Sequence, residues 1–282
     1  MKSLNTKKAA KACKCTKAAQ PPANDNHPVA ATGQNLAKLL DDTVAHHPAL
    51  QELETFGCNL QSRPLSKAEL KIFLASLAAF VGDIPGGILS LGLRITDELM
   101  AERDRLNATA EGALILFAAV DEYGLHEMQA GPQRTHHQLY IDVLRHFGIT
   151  VEDMLDEANI LPEGKAMGRR TAEYYRWRSV PEAMGFHFAS EATSNIEFGW
   201  YLAGFKTFAE EYGLLADGDP ALHFFVIHTE VEPGHRDMGR EIIKRYARTH
   251  KGITPAVVAG ITAFLDGYGA LFAALNRRLF NA

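Results

Sequence analysis

The sequence of 282 residues contains only three cysteines. Cys13 and Cys15 lie close together in a polar N-terminal stretch, and Cys58 stands alone. Three thiols are too few for a disulfide framework or for a structural zinc site, so both are excluded as sources of stability. This cysteine usage favours a reducing compartment, and we expect a cytoplasmic protein.

The sequence also lacks a long uninterrupted hydrophobic run. Its richest apolar stretches extend over about ten residues or fewer, whereas a membrane-spanning helix needs about 20. From this absence we expect no membrane partner. The composition, 46% hydrophobic and 22% charged, is typical of a globular chain that can bury a substantial core.

Positive charge is scarce outside the first 40 residues. Residues 1–40 contain seven lysines against one acid, Asp25, and so carry a charge of +6. Since the whole chain carries −5, this leaves −11 for the remainder. An acidic body repels the phosphates of DNA and RNA, so we expect no nucleic-acid partner.

The N-terminal 34 residues are rich in lysine, alanine and proline and poor in large apolar side chains. Such a composition buries too little apolar surface to offset the entropy of ordering the chain, which predicts a disordered tail over 1–34. An organelle-targeting peptide is the alternative. Such peptides are rich in arginine, and this stretch contains none.

Helical patterns fill the rest of the chain. Ser66 and Glu69 have the spacing of a capping box, which predicts a helix over 67–81. Residues 83–87 predict a break, and further helices are predicted over 88–105, 108–122, 136–147, 151–157, 169–177, 181–212 and 254–280. There is no strand-like alternation, nucleotide-binding glycine motif, GxSxG motif or internal repeat. We therefore expect one all-α domain over 35–282.

Histidines beside carboxylates are the main chemical signal. His228, Glu232 and His235 are spaced by four and three residues, which places them on one face of a helix. Because a proline inside a helix removes a hydrogen bond, Pro233 predicts a helix break at this point. His228 is then expected to end one segment and still share a site with the other two residues.

Two further places add the same residue types. Glu122 ends one predicted helix and His136 begins the next, while Glu191 lies among small and aromatic residues, where an unpaired charge is costly. Iron, manganese and zinc all accept such mixed imidazole and carboxylate ligands. Three glutamates and three histidines from separate helices match a carboxylate-bridged dinuclear metal site.

This order of residues resembles the haem-oxygenase-like di-iron oxidases and oxygenases. That family consists of iron-containing redox enzymes related in fold to thiaminase II and to pyrroloquinoline-quinone synthase. The resemblance covers about residues 90–250 and implies a haem-oxygenase-like helical bundle. It assigns six metal ligands: Glu122, His136, Glu191, His228, Glu232 and His235. The first three are assigned mainly to one iron and the last three mainly to the other.

The resemblance also implies the chemistry. It points to two Fe(II) ions, with manganese or a mixed pair as alternatives, and to O2 as a co-substrate. The enzyme would oxidise a small organic molecule of the amino-acid, amine or carboxylic-acid type. It leaves the oligomeric state open, with a homodimer as one alternative.

Two departures from the family pattern keep some ligands open. Glu232 stands where the family usually has aspartate, and its longer side chain changes the reach toward a metal. The 14 residues between Glu122 and His136 exceed the usual gap, so Glu127 and His137 are rival ligands.

Other functions on an all-helical fold also stay open. A haem oxygenase would bind haem through one early histidine, His46 or His47, which leaves the three glutamates unexplained. A thiaminase-type hydrolase would need Cys58 as a nucleophile, although this residue lies in a predicted turn. A cofactorless oxidase or a non-catalytic helical binding protein would need no metal.

Overall fold

The computed structural model describes residues 33–102, 105–125, 131–215 and 218–281, without the side chains of Gln34, Leu106 and Glu232. Nearly all of the predicted N-terminal tail, over 1–34, lies outside these residues. So does Glu127, one of the rival ligands.

All regular structure in the described residues is helical, which confirms the all-α prediction. Two turns of 3-10 helix, over Glu157–Asn159 and Pro220–Leu222, accompany twelve α-helices in the described ranges. The α-helices are α1 (Gly33–Ala45), α2 (Ala49–Leu60), α3 (Lys67–Val81), α4 (Ile84–Ala101), α5 (Arg105–Glu122), α6 (His136–His146), α7 (Val151–Leu155), α8 (Pro162–Arg176), α9 (Val180–Thr207), α10 (Ala209–Tyr212), α11 (His223–Thr249) and α12 (Thr254–Phe280).

Most predicted helices are present, with shifted ends. The capping box before α3 is confirmed, since Ser66 accepts from the backbone N–H of Glu69 and the Glu69 carboxylate accepts from that of Ser66. The predicted break over 83–87 is present but shorter, over 82–83, because α4 begins at Ile84 and takes Pro85 into its first turn, where a missing N–H costs nothing. The predicted turn at Cys58 is also wrong, since this residue lies within α2.

Helix α9 is the centre of the bundle. It packs against α2, α4, α8, α11 and α12, and buried side chains such as Phe186, Phe188 and Phe198 cover it on several sides. Every residue from Ala183 to Glu191 is buried, whereas Ile196, on a later turn, is 43% exposed. Glu191 and Glu197 both lie on the buried side of the helix.

Close backbone contact fixes α9 against α12. A Cβ atom on Gly185 would lie 2.0 Å from the carbonyl oxygen of Val257, and one on Gly260 would lie 2.0 Å from that of Glu182. Only glycine fits at either position. The two helices therefore cross with their backbones in direct contact.

Helix α11 continues through Pro233, so the predicted break between His228 and His235 is wrong. Proline cannot donate the hydrogen bond that the carbonyl four residues earlier, that of Thr229, would normally accept. The side chain of Asn195, on α9, donates to this carbonyl at 2.9 Å instead. A bond from a neighbouring helix thus replaces the one that the proline removes.

Two stretches are long and apolar enough to cross a membrane by length and composition, Lys67–Ala101 and Thr254–Phe280. The absence of an uninterrupted apolar run therefore did not exclude such helices. Half of each apolar window is buried inside the bundle, and core helices of globular proteins meet the same criterion.

Candidate metal centre

Three of the predicted ligands meet at one point, where α5, α6 and α11 converge. Oε2 of Glu122 lies 3.2 Å from Nδ1 of His136, and Oε1 lies 4.0 Å from Nε2 of His228. One ligand atom from each residue can be chosen so that all three lie within 4.8 Å of one another. This is the spacing of donor atoms around a single metal ion.

The ends of two helices position this group. Glu122 is the last residue of α5 and His136 is the first residue of α6. Thr135 and Gln138 form a capping box around His136, in which each side chain accepts from the other residue's backbone N–H. The cap fixes where the helix starts and therefore where the imidazole lies.

The two imidazoles are buried and available to a metal. His136 is 2% exposed, and neither of its ring nitrogens has a hydrogen-bond partner. His228 donates from Nδ1 to the carbonyl oxygen of Phe224 at 2.6 Å, which leaves Nε2 as an acceptor near Glu122. Buried polar atoms are rarely left without a hydrogen bond, so the ring of His136 fits a metal ligand.

Burial and mutual contact set the protonation of this group. Burial and then the neighbouring His136 lower the pKa of His228 to about 4, so this ring is neutral near pH 7. Burial alone would raise the pKa of Glu122, but His136 and His228 outweigh burial and lower it. Neutral imidazole and ionised carboxylate are the forms that bind metal.

A second group surrounds Glu191, on α9. Oε2 of Glu191 lies 3.5 Å from Nδ1 of His235, and Oε1 lies 3.3 Å from Nδ1 of His187. The other ring nitrogen of His235 lies 2.7 Å from Oδ2 of Asp121. With its proton on the nitrogen that donates to Asp121, His235 directs a lone pair toward the Glu191 carboxylate. A cation between two such acceptors would satisfy both.

Sequence reasoning missed Asp121 and His187. His187 is 1% exposed, and its Nδ1 lies 3.0 Å from the hydroxyl of Tyr175. The spacing of four residues between His187 and Glu191 could have signalled this pair. Asp121 directly precedes a predicted ligand, but no spacing connects it to His235.

Not every predicted ligand can be placed. Glu232 lies in the continuous helix α11, but its side chain is outside the described part of the structure, and so is the whole of Glu127. His137 is exposed at the edge of the site, whereas His136 is buried against Glu122. His228 lies beside Glu122 and His136, so the structure groups it with them rather than with His235.

Both groups border one internal cavity of about 30 Å³. Apolar and small polar side chains complete its wall together with Glu122, His136, Glu191 and His228; they include Phe80, Val81, Ile84, Ser190, Ser194, Phe198 and Phe224. A further carboxylate, Glu197, lines the same cavity. The volume admits a molecule of about the size of water, since one water needs about 10–15 Å³ by this measure.

The residues of the rival functions lie elsewhere. His46 is exposed and contacts the backbone of Asp42, and His47 lies 3.5 Å from the exposed Asp266. Neither histidine lines the cavity, and neither does Cys58. The candidate centre is therefore built from carboxylates and imidazoles, without a haem-type histidine or a thiol.

The chain is similar to known proteins in sequence and in fold. A family model described as an iron-containing redox enzyme matches residues 92–269. No curated protein matches the chain. Two crystal structures of a CADD-like protein of unknown function from Nostoc punctiforme PCC 73102 are 18% identical to it, with TM-scores of 0.66 and 0.61. The alignments cover 88% and 87% of this chain, and 98% and 95% of the two Nostoc chains.

A third structure extends the likeness. A domain of unknown function with a haem oxygenase-like fold, from Shewanella denitrificans OS217, is 14% identical, with a TM-score of 0.55. The alignment covers 87% of this chain and 90% of that domain. At such identities the likeness shows the fold alone, and it confirms the predicted haem-oxygenase-like helical bundle.

Proposed function

Because the chain belongs to the family of iron-containing redox enzymes, we propose that it is an O2-dependent, non-haem di-iron oxidoreductase that acts on a small organic substrate. One observation carries the proposal. Glu122, His136 and His228 converge in the core with ligand spacing, and the ring nitrogens of the buried His136 make no hydrogen bond within the described residues. A metal ion bound to one of these nitrogens would give the ring a partner.

The two groups of residues would hold two ions. Glu122, His136 and His228 would hold one, and Glu191 and His235 would hold the other, together with Glu232. Iron held by such ligands supplies redox chemistry with O2, and carboxylates and imidazoles also accept manganese.

The chain's own task is to hold these ligands and to exclude water. Asp121 accepts a hydrogen bond from His235 and fixes its ring orientation, as outer carboxylates do for metal-bound histidines. The carbonyl oxygen of Phe224 accepts a hydrogen bond from His228 and fixes its ring. The ring centroids of Phe198 and His228 lie 4.1 Å apart. Apolar walls of this kind keep bulk water from a reactive site.

The experiment that tests the proposal combines metal analysis with oxygen consumption. We would load the full chain with Fe(II) under argon, remove unbound metal, measure iron per chain, and then follow O2 uptake after mixing with aerated buffer. The expected result is about two irons per chain, as in carboxylate-bridged di-iron proteins, with rapid O2 consumption. A chain that retains no iron would contradict the proposal and favour a cofactorless enzyme or a binding protein.

A further inference from the structure

Glu197 lines the cavity but belongs to neither group of candidate ligands. It lies six residues after Glu191 on α9 and is 2% exposed. The hydroxyl of Tyr201 donates to its Oε1 at 2.6 Å, and the hydroxyl of Tyr268, on α12, donates to its Oε2 at 2.7 Å. Each carboxylate oxygen therefore has one neutral donor and keeps an acceptor position.

A positive partner for Glu197 is missing from the cavity. No lysine or arginine is among the residues that line it, and none of the described side chains forms an ion pair with Glu197. A buried carboxylate without a cation is costly, and burial raises the pKa of Glu197 to about 7 despite the two tyrosine hydroxyls. A ligand with a positive charge would remove this cost.

The residues that line the cavity also determine whether its ligand is positively or negatively charged. Arginine and lysine are the side chains that pair best with a substrate carboxylate, and the lining residues include neither. Glu122 and Glu191 are committed to the metal ions in the proposed function. Glu197 is then the carboxylate of this cavity that is left for a cationic group.

We propose that Glu197 is the residue that binds the ammonium group of the substrate, so that the enzyme acts on small primary amines. This inference rests on the proposed function and narrows its substrate class. Because Glu197 shares one small cavity with the candidate metal ligands, an anchored amine would place its neighbouring carbon atoms beside the metal centre.

The dimensions of the cavity fit such a head group. A volume of about 30 Å³ holds an ammonium group, which is of about the size of a water molecule. The half-buried Val81 and Ile84 and the exposed His137 also belong to the wall, so this side of the cavity lies nearest the surface. The apolar part of an amine would lie there, against Phe80, Val81 and Ile84.

The groups around Glu197 allow a proton-based test. Tyr201, Tyr268 and Tyr140 face it from α9, α12 and α6, and burial raises the pKa of each tyrosine well above 10, so none titrates near neutral pH. The remaining titratable groups of the cavity are candidate metal ligands and His137, at its edge. These groups are the same in the wild type and in Glu197→Gln, so the difference in proton release between the two proteins reports on Glu197.

The test is calorimetric titration of the full, Fe(II)-loaded chain under argon with butylammonium chloride, and with butanol as the uncharged probe. Two buffers of different ionisation enthalpy give the number of protons released. Binding of the cation ionises Glu197, so about one proton should leave at about pH 6 and almost none at about pH 8.5, where the carboxylate is already ionised. Butanol should bind at least about tenfold more weakly.

Variants complete the test. Glu197→Gln should weaken butylammonium binding at least about tenfold and abolish proton release, while it retains metal and helical content. Glu210→Gln, which makes the same change at an exposed carboxylate of α10 away from the cavity, should leave both unchanged. Equal binding of the two probes by the wild-type chain, or unchanged binding by Glu197→Gln, would overturn the inference.

Two further results keep this inference separate from the proposed function. If Glu197→Gln does not fold, the proton release of the wild-type chain at about pH 6 is the test. Release of about one proton supports the inference, and no release overturns it. If the wild-type chain retains no iron, the proposed di-iron function fails. The same titration of the metal-free chain then shows whether Glu197 binds amines.

Discussion

Oδ2 of Asp121 lies 2.7 Å from Nε2 of His235, and the other ring nitrogen of this histidine lies 3.5 Å from Glu191. The aspartate therefore fixes the orientation of the imidazole through Nε2 and directs Nδ1 toward the candidate metal centre. Since Asp121 directly precedes Glu122, the end of α5 serves both groups of ligands.

Replacement of Asp121 by asparagine should weaken metal binding without unfolding the chain. The variant keeps the volume of the side chain but removes the charge that orients His235. Loss of such an outer partner typically costs about 10- to 100-fold in metal affinity. Competition with a chromophoric iron chelator under argon measures this change. The matched control is Asp237→Asn, which alters an exposed aspartate of α11; equal affinities of the two variants would contradict the role of Asp121.

Adjacent histidines provide a matched pair for the first group. His136→Ala should remove about one metal ion per chain, because it deletes a buried candidate ligand. His137→Ala should retain the wild-type metal content, because its side chain is exposed. Elemental analysis of both purified variants gives the answer. Loss of metal from His137→Ala but not from His136→Ala would make His137 the ligand.

Glu197 should make stability depend on pH in a defined direction. Its pKa is about 7 in the folded chain, against an ordinary value of 4.5, so the folded state binds this proton more tightly. As pH rises from about 4.5 to about 7, the wild-type chain should lose about 3 kcal/mol of stability relative to Glu197→Gln. The difference should be constant outside this window.

Urea unfolding of the two metal-free proteins at several pH values measures this difference. Other titrating groups contribute equally to both proteins, so they cancel. Parallel stability profiles across the window would show that Glu197 has an ordinary pKa in the folded chain.

Two glycines of α9 should respond oppositely to alanine. Gly185→Ala places a methyl group 2.0 Å from the carbonyl oxygen of Val257, and overpacking of this kind costs about 1–3 kcal/mol. A Cβ atom on Gly199 meets nothing within 4 Å, so Gly199→Ala should stabilise the helix by about 0.5–1 kcal/mol. Chemical denaturation compares both with the wild type. Unchanged or increased stability of Gly185→Ala would contradict the close helix crossing.

The bond between Asn195 and the carbonyl of Thr229 should depend on Pro233. Asn195→Ala should cost about 1 kcal/mol in the wild-type chain, because it leaves a partly buried carbonyl without a donor. In a Pro233→Ala background the restored N–H can donate to the same carbonyl, and the cost of Asn195→Ala should nearly vanish. A double-mutant cycle measures this coupling, and additive costs would exclude it.

Local patterns predicted the all-helical fold and much of the candidate site. The capping box at Ser66 and the spacing of His228 and His235 depend on neighbours within one helix, so they are visible in the sequence. The resemblance placed Glu122 and His136 together, and the structure brings them to 3.2 Å. Their roles as metal ligands stay predictions.

Other features depend on contacts between distant segments. Asp121 and His235 are 114 residues apart, and no local rule connects them. The rule that proline breaks a helix failed at Pro233, because Asn195 supplies a donor from another helix. Glu197 was missed although one partner, Tyr201, lies four residues later on α9, because the other, Tyr268, meets it only when α12 packs against α9.

Packing of two long helices such as α9 and α11 leaves an ambiguity, because shifting one helix past the other by a turn, about 5.4 Å, restores similar contacts. The hydrogen bond from Asn195 to Thr229 selects one alignment. A shifted α11 would leave the Thr229 carbonyl and the Asn195 amide without this bond. Pro233 thus acts against alternative alignments of the two helices that hold Glu191 and His235. A sequence with an unbroken hydrogen-bond pattern there would be a better isolated helix and a less well specified bundle.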